Sequence, residues 1–263
     1  MNKLIRVLWI VLILCVPAAH AGRPCVEVQP EARTTMRAME LAYKTRTVLD
    51  TSNAQVALIA RVGQDLSKYH LRYSHIGYVW RDHPNGRWLV VHQLNHCGTA
   101  ESALYNEGLG NFFLDDLFAF EALILIPAPE TQQRLAQLLT SEMPKRLYSP
   151  RYNMVAYAFS TMYQNSNQWA LEMLAAASAT DTLIDQREQA QAWLKLVGYR
   201  PSTVSIPAMT RLGGRMFHAN IAFDDHPFDR RMAGMIDTVT VDSIAQFLEK
   251  RDSQLRRVTI SID

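Results

Sequence analysis

A chain of 263 residues in which 27 basic side chains face 25 acidic ones, with 48% hydrophobic residues, holds enough apolar material for one sizeable core. Its formal net charge of +2 comes from scattered, interleaved charges. That pattern excludes the one-signed stripe with which proteins grip nucleic acid.

Residues 1–21 have the form of a cleavable secretory signal. Lys3 and Arg6 precede an apolar run from Val7 to Val16, Pro17 breaks it, and Ala19-His20-Ala21 has the small-x-small pattern of a cleavage site. The run is about ten residues long, short of the roughly 20 that a spanning helix needs. The expectation is an exported, periplasmic protein with no transmembrane segment once the signal is removed. Residues 22–263 then form a single α+β domain.

Along that domain, the apolar spacing of residues 30–50 predicts a helix. The run from Gln55 to Val62 predicts a strand, and Tyr73 to Trp80 a second. The turn-forming stretch Asp82 to Gly86 leads into a third strand, Arg87 to Leu94, so the last two are expected to form a hairpin. Asn95 to Asp116 reads as irregular. A buried strand from Ala122 to Pro127 precedes an amphipathic helix from Pro129 to Met143, followed by an aromatic-rich connection to Gln164. Ala-rich Ser166–Ala179 and amphipathic Gln186–Val197 are expected helices. Further strands are expected at Val204–Pro207, Phe217–Phe223, Thr238–Val241 and Arg257–Ile262, with a helix from Asp242 to Lys250 among them. The Gly213-Gly214 pair reads as a tight turn, and the Asp-rich stretches Asn111–Asp116 and Phe223–Phe228 as ordered loops. Strands and helices in this order suit an antiparallel sheet covered by helices.

Cys25 and Cys97 remain in the mature chain. An oxidising compartment favours joining them, and two independent thiols satisfy the sequence as well. His92, His96 and Cys97 lack the spacing of a zinc site, so neither metal nor cofactor is implied.

The residues most suited to chemistry are two histidines and a serine. His75 opens the second predicted strand and His92 lies on the third, where neighbouring antiparallel strands bring side chains together. Ser166 stands at the start of the Ala-rich helix beside Asn165, a natural N-cap. A hydroxyl there has backbone N–H groups to hold an oxyanion, but needs a base to activate it. Tyr73, Tyr163, Asn165 and Trp169 would line the approach.

The segments Ser74-His75-Ile76-Gly77-Tyr78-Val79, Val90-Val91-His92-Gln93-Leu94 and Asn165-Ser166-Asn167-Gln168-Trp169 resemble the circularly permuted branch of the papain-like superfamily, which includes permuted NlpC-type hydrolases and the lecithin-retinol acyltransferase group. The resemblance implies a papain-like antiparallel sheet packed against helices. It makes His75 the general base, His92 its orienting partner, and Ser166 the nucleophile in the position where that family has cysteine. It implies a hydrolase or acyltransferase acting on an amide or ester, with a cell-envelope substrate such as a peptidoglycan peptide or a lipid. The serine leaves a second possibility open, an inactive descendant that binds or assists envelope assembly. The mature chain is also similar to a family of exported bacterial proteins of unknown function, through segments such as Arg61–His75, Asn111–Asp116 and Phe223–Phe228. Oligomeric state is not legible.

Overall fold

The computed structural model describes residues 29–115 and 117–262, with the backbone alone at 216 and 217. The signal segment and Cys25 lie outside the described residues. The described chain runs α1 (Ala32–Thr51), β1 (Val56–Val62), β2 (His75–Trp80), β3 (Leu89–Asn95), β4 (Ser102–Gly108), α2 (Leu109–Leu114), β5 (Ala119–Ile126), α3 (Pro129–Leu139), α4 (Met143–Arg146), α5 (Ser166–Ser178), α6 (Arg187–Leu196), β6 (Ser202–Ser205), α7 (Ala208–Phe217), α8 (Phe228–Met232), β7 (Met235–Thr238), α9 (Val241–Arg251) and β8 (Arg256–Ser261).

Six strands form one antiparallel sheet in the order β4-β3-β2-β1-β5-β8. Helices cover both of its faces. Because side chains alternate along a strand, each strand feeds two cores. Leu58, Ala60, Ile76, Tyr78, Leu123 and Leu125 pack under α3, α5, α6 and α9. Ala57, Ile59, Val79, Val90 and Ile124 pack under α1 and α2. This double cover explains why β1 is apolar but for Arg61, with every residue buried.

The α+β class and the antiparallel sheet are as expected. Three local expectations are corrected. The stretch read as irregular contains β4 and α2. β4 is an edge strand of mostly half-exposed residues, so it lacks the apolar alternation that marks a strand, and it is specified by its seven-residue pairing with β3. The strand expected at Phe217–Phe223 is absent, since Phe217 ends helix α7 and the chain then turns. Gly213 and Gly214 lie inside that helix rather than in a turn.

β2 and β3 pair only from Tyr78 opposite Val91 onward, which leaves the His75 end of β2 free of its neighbour. That open end is where the candidate site forms.

Candidate functional site

β2 and β3 bring the two histidines together. His75 Nε2 lies 2.8 Å from His92 Nδ1, with the ring centroids 5.1 Å apart. Both rings stack against Phe112 of α2, at 5.9 and 5.4 Å. The close approach requires glycine at 77, because a Cβ there would sit 2.8 Å from His92 Cβ and 3.0 Å from the Val91 carbonyl oxygen. His92 is 0% exposed.

Beyond the pair stand charged groups that the sequence did not single out. Arg61 of β1 lies opposite His75 in the sheet, at a register shift in the β1–β5 pairing. Its guanidinium donates to the Phe112 carbonyl and to Asp115, and lies over the Phe112 ring. Glu107 of β4 brings Oε2 to 3.3 Å from His92 Nε2, a charge contact that falls short of hydrogen-bond geometry. Asp115 belongs to one of the Asp-rich stretches noted in the sequence. Arg61 gave no signal, since a single cation in an apolar strand has no pattern to announce it.

Burial drives the His75 pKa well below the ordinary imidazole value, and the Arg61 cation and His92 push the same way. Burial also lowers His92, and the Glu107 carboxylate partly opposes this. Both rings are therefore neutral bases held where an imidazolium is costly.

Ser166 is placed differently. Alternation along β2 sends Tyr78 to the face covered by α5, where its hydroxyl donates to the Ala170 carbonyl, and sends His75 to the opposite face with Phe112. Ser166 is the first residue of α5, and it lies beside the Tyr152 phenol; burial raises that phenol's pKa, and the neighbouring Ser166 hydroxyl partly offsets the rise. No hydrogen bond joins Ser166 to either histidine. The helix end still reaches the His75 strand through its neighbour. Asn167 Oδ1 accepts from the Ile76 N–H at 3.2 Å, and its Nδ2 donates to the Ser74 carbonyl at 3.4 Å. These bonds occupy the open edge of β2 that β3 leaves unpaired.

The expected constellation is thus assembled only in part. His75 and His92 meet, while Ser166 remains in the other layer. Asn165 caps the helix, accepting from the Gln168 N–H at 2.8 Å, which already engages one of the donors an oxyanion would need. Trp169 is a core residue whose indole donates to the Pro144 carbonyl at 3.1 Å. Tyr73 is buried and donates to Glu121 Oε1 at 2.6 Å, with its pKa pushed up to about 12 by burial and by that carboxylate. Tyr163 is half-buried, its hydroxyl 3.4 Å from Asp224 Oδ2 and Arg151 over its ring. Of the four expected lining residues, only Tyr163 offers surface to a ligand. Among the described residues no three His, Cys, Asp or Glu side chains are grouped to hold a metal ion. His96, in the turn after β3, is exposed.

Residues 48–248 match a family described as an uncharacterized protein conserved in bacteria, DUF2145. No curated protein and no solved structure matches the chain. The match spans well over half of the sequence, and the chain belongs to the DUF2145 family.

Proposed function

We propose that this member of the DUF2145 family is an exported, periplasmic protein of permuted papain-like architecture that binds cell-envelope material without cleaving it. One observation carries the reading: the two imidazoles bond to each other, and no hydrogen bond joins either of them to Ser166, whose helix packs on the opposite face of the sheet. Acyl transfer needs a base within hydrogen-bond reach of the attacking hydroxyl. It also needs a partner that stabilises the imidazolium formed during attack. Here burial and Arg61 penalise that cation. The papain-like element of the proposal is supported by the order of parts, with His75 and His92 on adjacent strands and the later helix start docked on the His75 strand through Asn167. The periplasmic element is supported by the signal-like form of residues 1–21. The ligand class that follows is a peptidoglycan peptide first and a lipid second.

The test pairs a covalent probe with a binding assay. Broad serine-reactive phosphonate and acyl probes should leave Ser166 unlabelled. Isolated peptidoglycan should co-sediment equally with the wild type and with Ser166→Ala. Labelling at Ser166, or ester turnover lost in Ser166→Ala, would overturn the non-catalytic reading.

A second reading, an amide or ester hydrolase or acyltransferase using Ser166, His75 and His92, is favoured by one specific feature. The Asn167 bonds hold the mouth of α5 against the strand that bears the base. The labelling experiment decides between the two.

A further inference from the structure

The segment from β6 to β7 stands apart from the main sheet. Its two strands form a separate two-stranded sheet, bridged to Tyr157 at Thr238, and Val204, Ile206, Phe223 and Ile236 form a small core of their own. Around that core, large apolar side chains point outward. Met209 is 79% exposed, Leu212 55%, Phe228 69% and Met232 62%. Single exposed apolar residues are ordinary, but a group of them supplied by successive elements marks an interaction surface.

The two helices that carry them meet at one place. The Ile206 N–H donates to the Gly234 carbonyl at 2.9 Å, and the Gly234 N–H donates to the Arg231 carbonyl at 3.0 Å. The start of α7 therefore meets the end of α8. On α7, Met209 and Leu212 are three residues apart and share a face with Arg215 beside Leu212, while Arg211 turns back and donates to the Ile206 carbonyl at 2.6 Å. The helix Ala-Met-Thr-Arg-Leu-Gly-Gly-Arg-Met-Phe has no acidic residue. Arg231 lies over the exposed Phe228 ring at 5.7 Å. Arg230 is matched by Asp237, at 2.5 and 2.8 Å, and Asp224 turns toward Tyr163. The two helices thus carry Arg211, Arg215 and Arg231 against one acid, Asp229, which leaves the segment cationic; Arg231 also donates to the Phe223 carbonyl at 3.3 Å.

We propose that this face docks on an anionic phospholipid bilayer. The apolar tips would enter the boundary between headgroups and acyl chains, with Arg215 at the phosphate level and Arg211 and Arg231 adding positive charge behind it. The surface is convex: its tips are largely exposed, and a Cβ added at Gly213 would meet nothing. Anchors that stand proud in this way suit a fluid that closes around them better than a protein partner with a fixed complementary shape. The inference does not rest on the role given to Ser166.

The mature protein sedimented with vesicles tests this. It should bind phosphatidylcholine vesicles that contain phosphatidylglycerol, bind vesicles of phosphatidylcholine alone much more weakly, and lose binding as salt is raised. Arg215→Gln should weaken binding to the anionic vesicles about fivefold. Met209→Glu together with Leu212→Glu should abolish it. Arg215, Met209 and Leu212 are outside the cores, so melting curves should match the wild type and separate lost docking from lost folding. Equal affinity for both vesicle types, no affinity for either, or binding unchanged in the variants would overturn the proposal. So would concentration-dependent self-association that is lost in Leu212→Glu while no vesicle binding is seen.

Discussion

Two buried polar clusters lie on opposite faces of the same sheet, and they are completed to different degrees. Under α5 and α6, the fully buried Glu172 accepts from Arg187 Nε at 2.8 Å, from Gln191 Nε2 at 2.8 Å and from Gln164 Nε2 at 2.7 Å. Arg187 goes on to the carbonyls of Thr161 and Tyr163. Every partner belongs to α5, α6 or the connection before them, so the cluster rivets those three pieces together. On the other face His75 and His92 hold each other, but the outer nitrogen of His92 has only the imperfect Glu107 contact. The comparison teaches that a buried charge is retained when its partners saturate it. A buried base beside a cation is retained only by staying neutral.

The largest effect should come from breaking the saturated cluster. Glu172→Ala leaves Arg187 buried and unpaired, and should cost about 3–5 kcal/mol in urea unfolding. Replacing Glu172 and Arg187 together with apolar residues of similar volume should recover much of that loss. A cost that is equal in the single and double variants would show that shape rather than charge holds the region.

Next comes the point where the histidine pair is tightest. Gly77→Ala forces a methyl group onto His92 and the Val91 carbonyl, and should cost about 1–3 kcal/mol. Unchanged stability would mean that β3 yields at His92.

Acidity should separate the two clusters by sign. Both imidazoles have folded values below the ordinary 6.5. Above 6.5 folded and unfolded chains are alike, and below it the unfolded chain takes up protons that the folded chain refuses. Stability should therefore fall with acidification, by up to about 1.4 kcal/mol per pH unit for each histidine. Glu172 acts in the opposite direction, because burial raises its carboxyl above the ordinary 4.5 against the pull of Arg187, Gln191 and Gln164. From 4.5 up to its folded value, the folded chain keeps a proton that the unfolded chain has shed, so there acidification adds stability. Unfolding free energies measured from neutral pH down to mildly acidic pH should lose their downward slope in His75→Gln combined with His92→Gln. A slope that persists in that variant would assign the acid sensitivity elsewhere.

The smallest effect is at the start of α5. Asn165→Ala removes the helix cap and the Nδ2 bond to Thr238 Oγ1 at 3.0 Å, and should cost about 1–2 kcal/mol in melting experiments, with Asn165→Ser restoring the share that belongs to the cap.

Much of the fold was legible because its signals are local. The apolar spacing of α1, the apolar run of β1 with its single Arg61, the turn formers between β2 and β3, and Asn165 before the Ala-rich α5 each specify an element within a few residues. β4 was missed because half-exposed Ser102–Gly108 has no apolar alternation of its own. α7 was missed because Gly213 and Gly214 break helical propensity in isolation. In the site, the meeting of His75 and His92 followed from adjacency on a hairpin. Arg61, Glu107 and Asp115 come from three other parts of the chain, and their approach depends on sheet order.

The sequence by itself determined the class of the domain, most of its elements and the pairing of the two imidazoles, because periodicity and turns act over short spans. Only the tertiary structure decided on which side of the sheet each chemical group came to rest. The pleat turns successive side chains to opposite faces, and the choice of face for α2 and α5 is made by packing across the whole chain. That choice put Phe112 and Arg61 with the histidines, and left Ser166 with Tyr152.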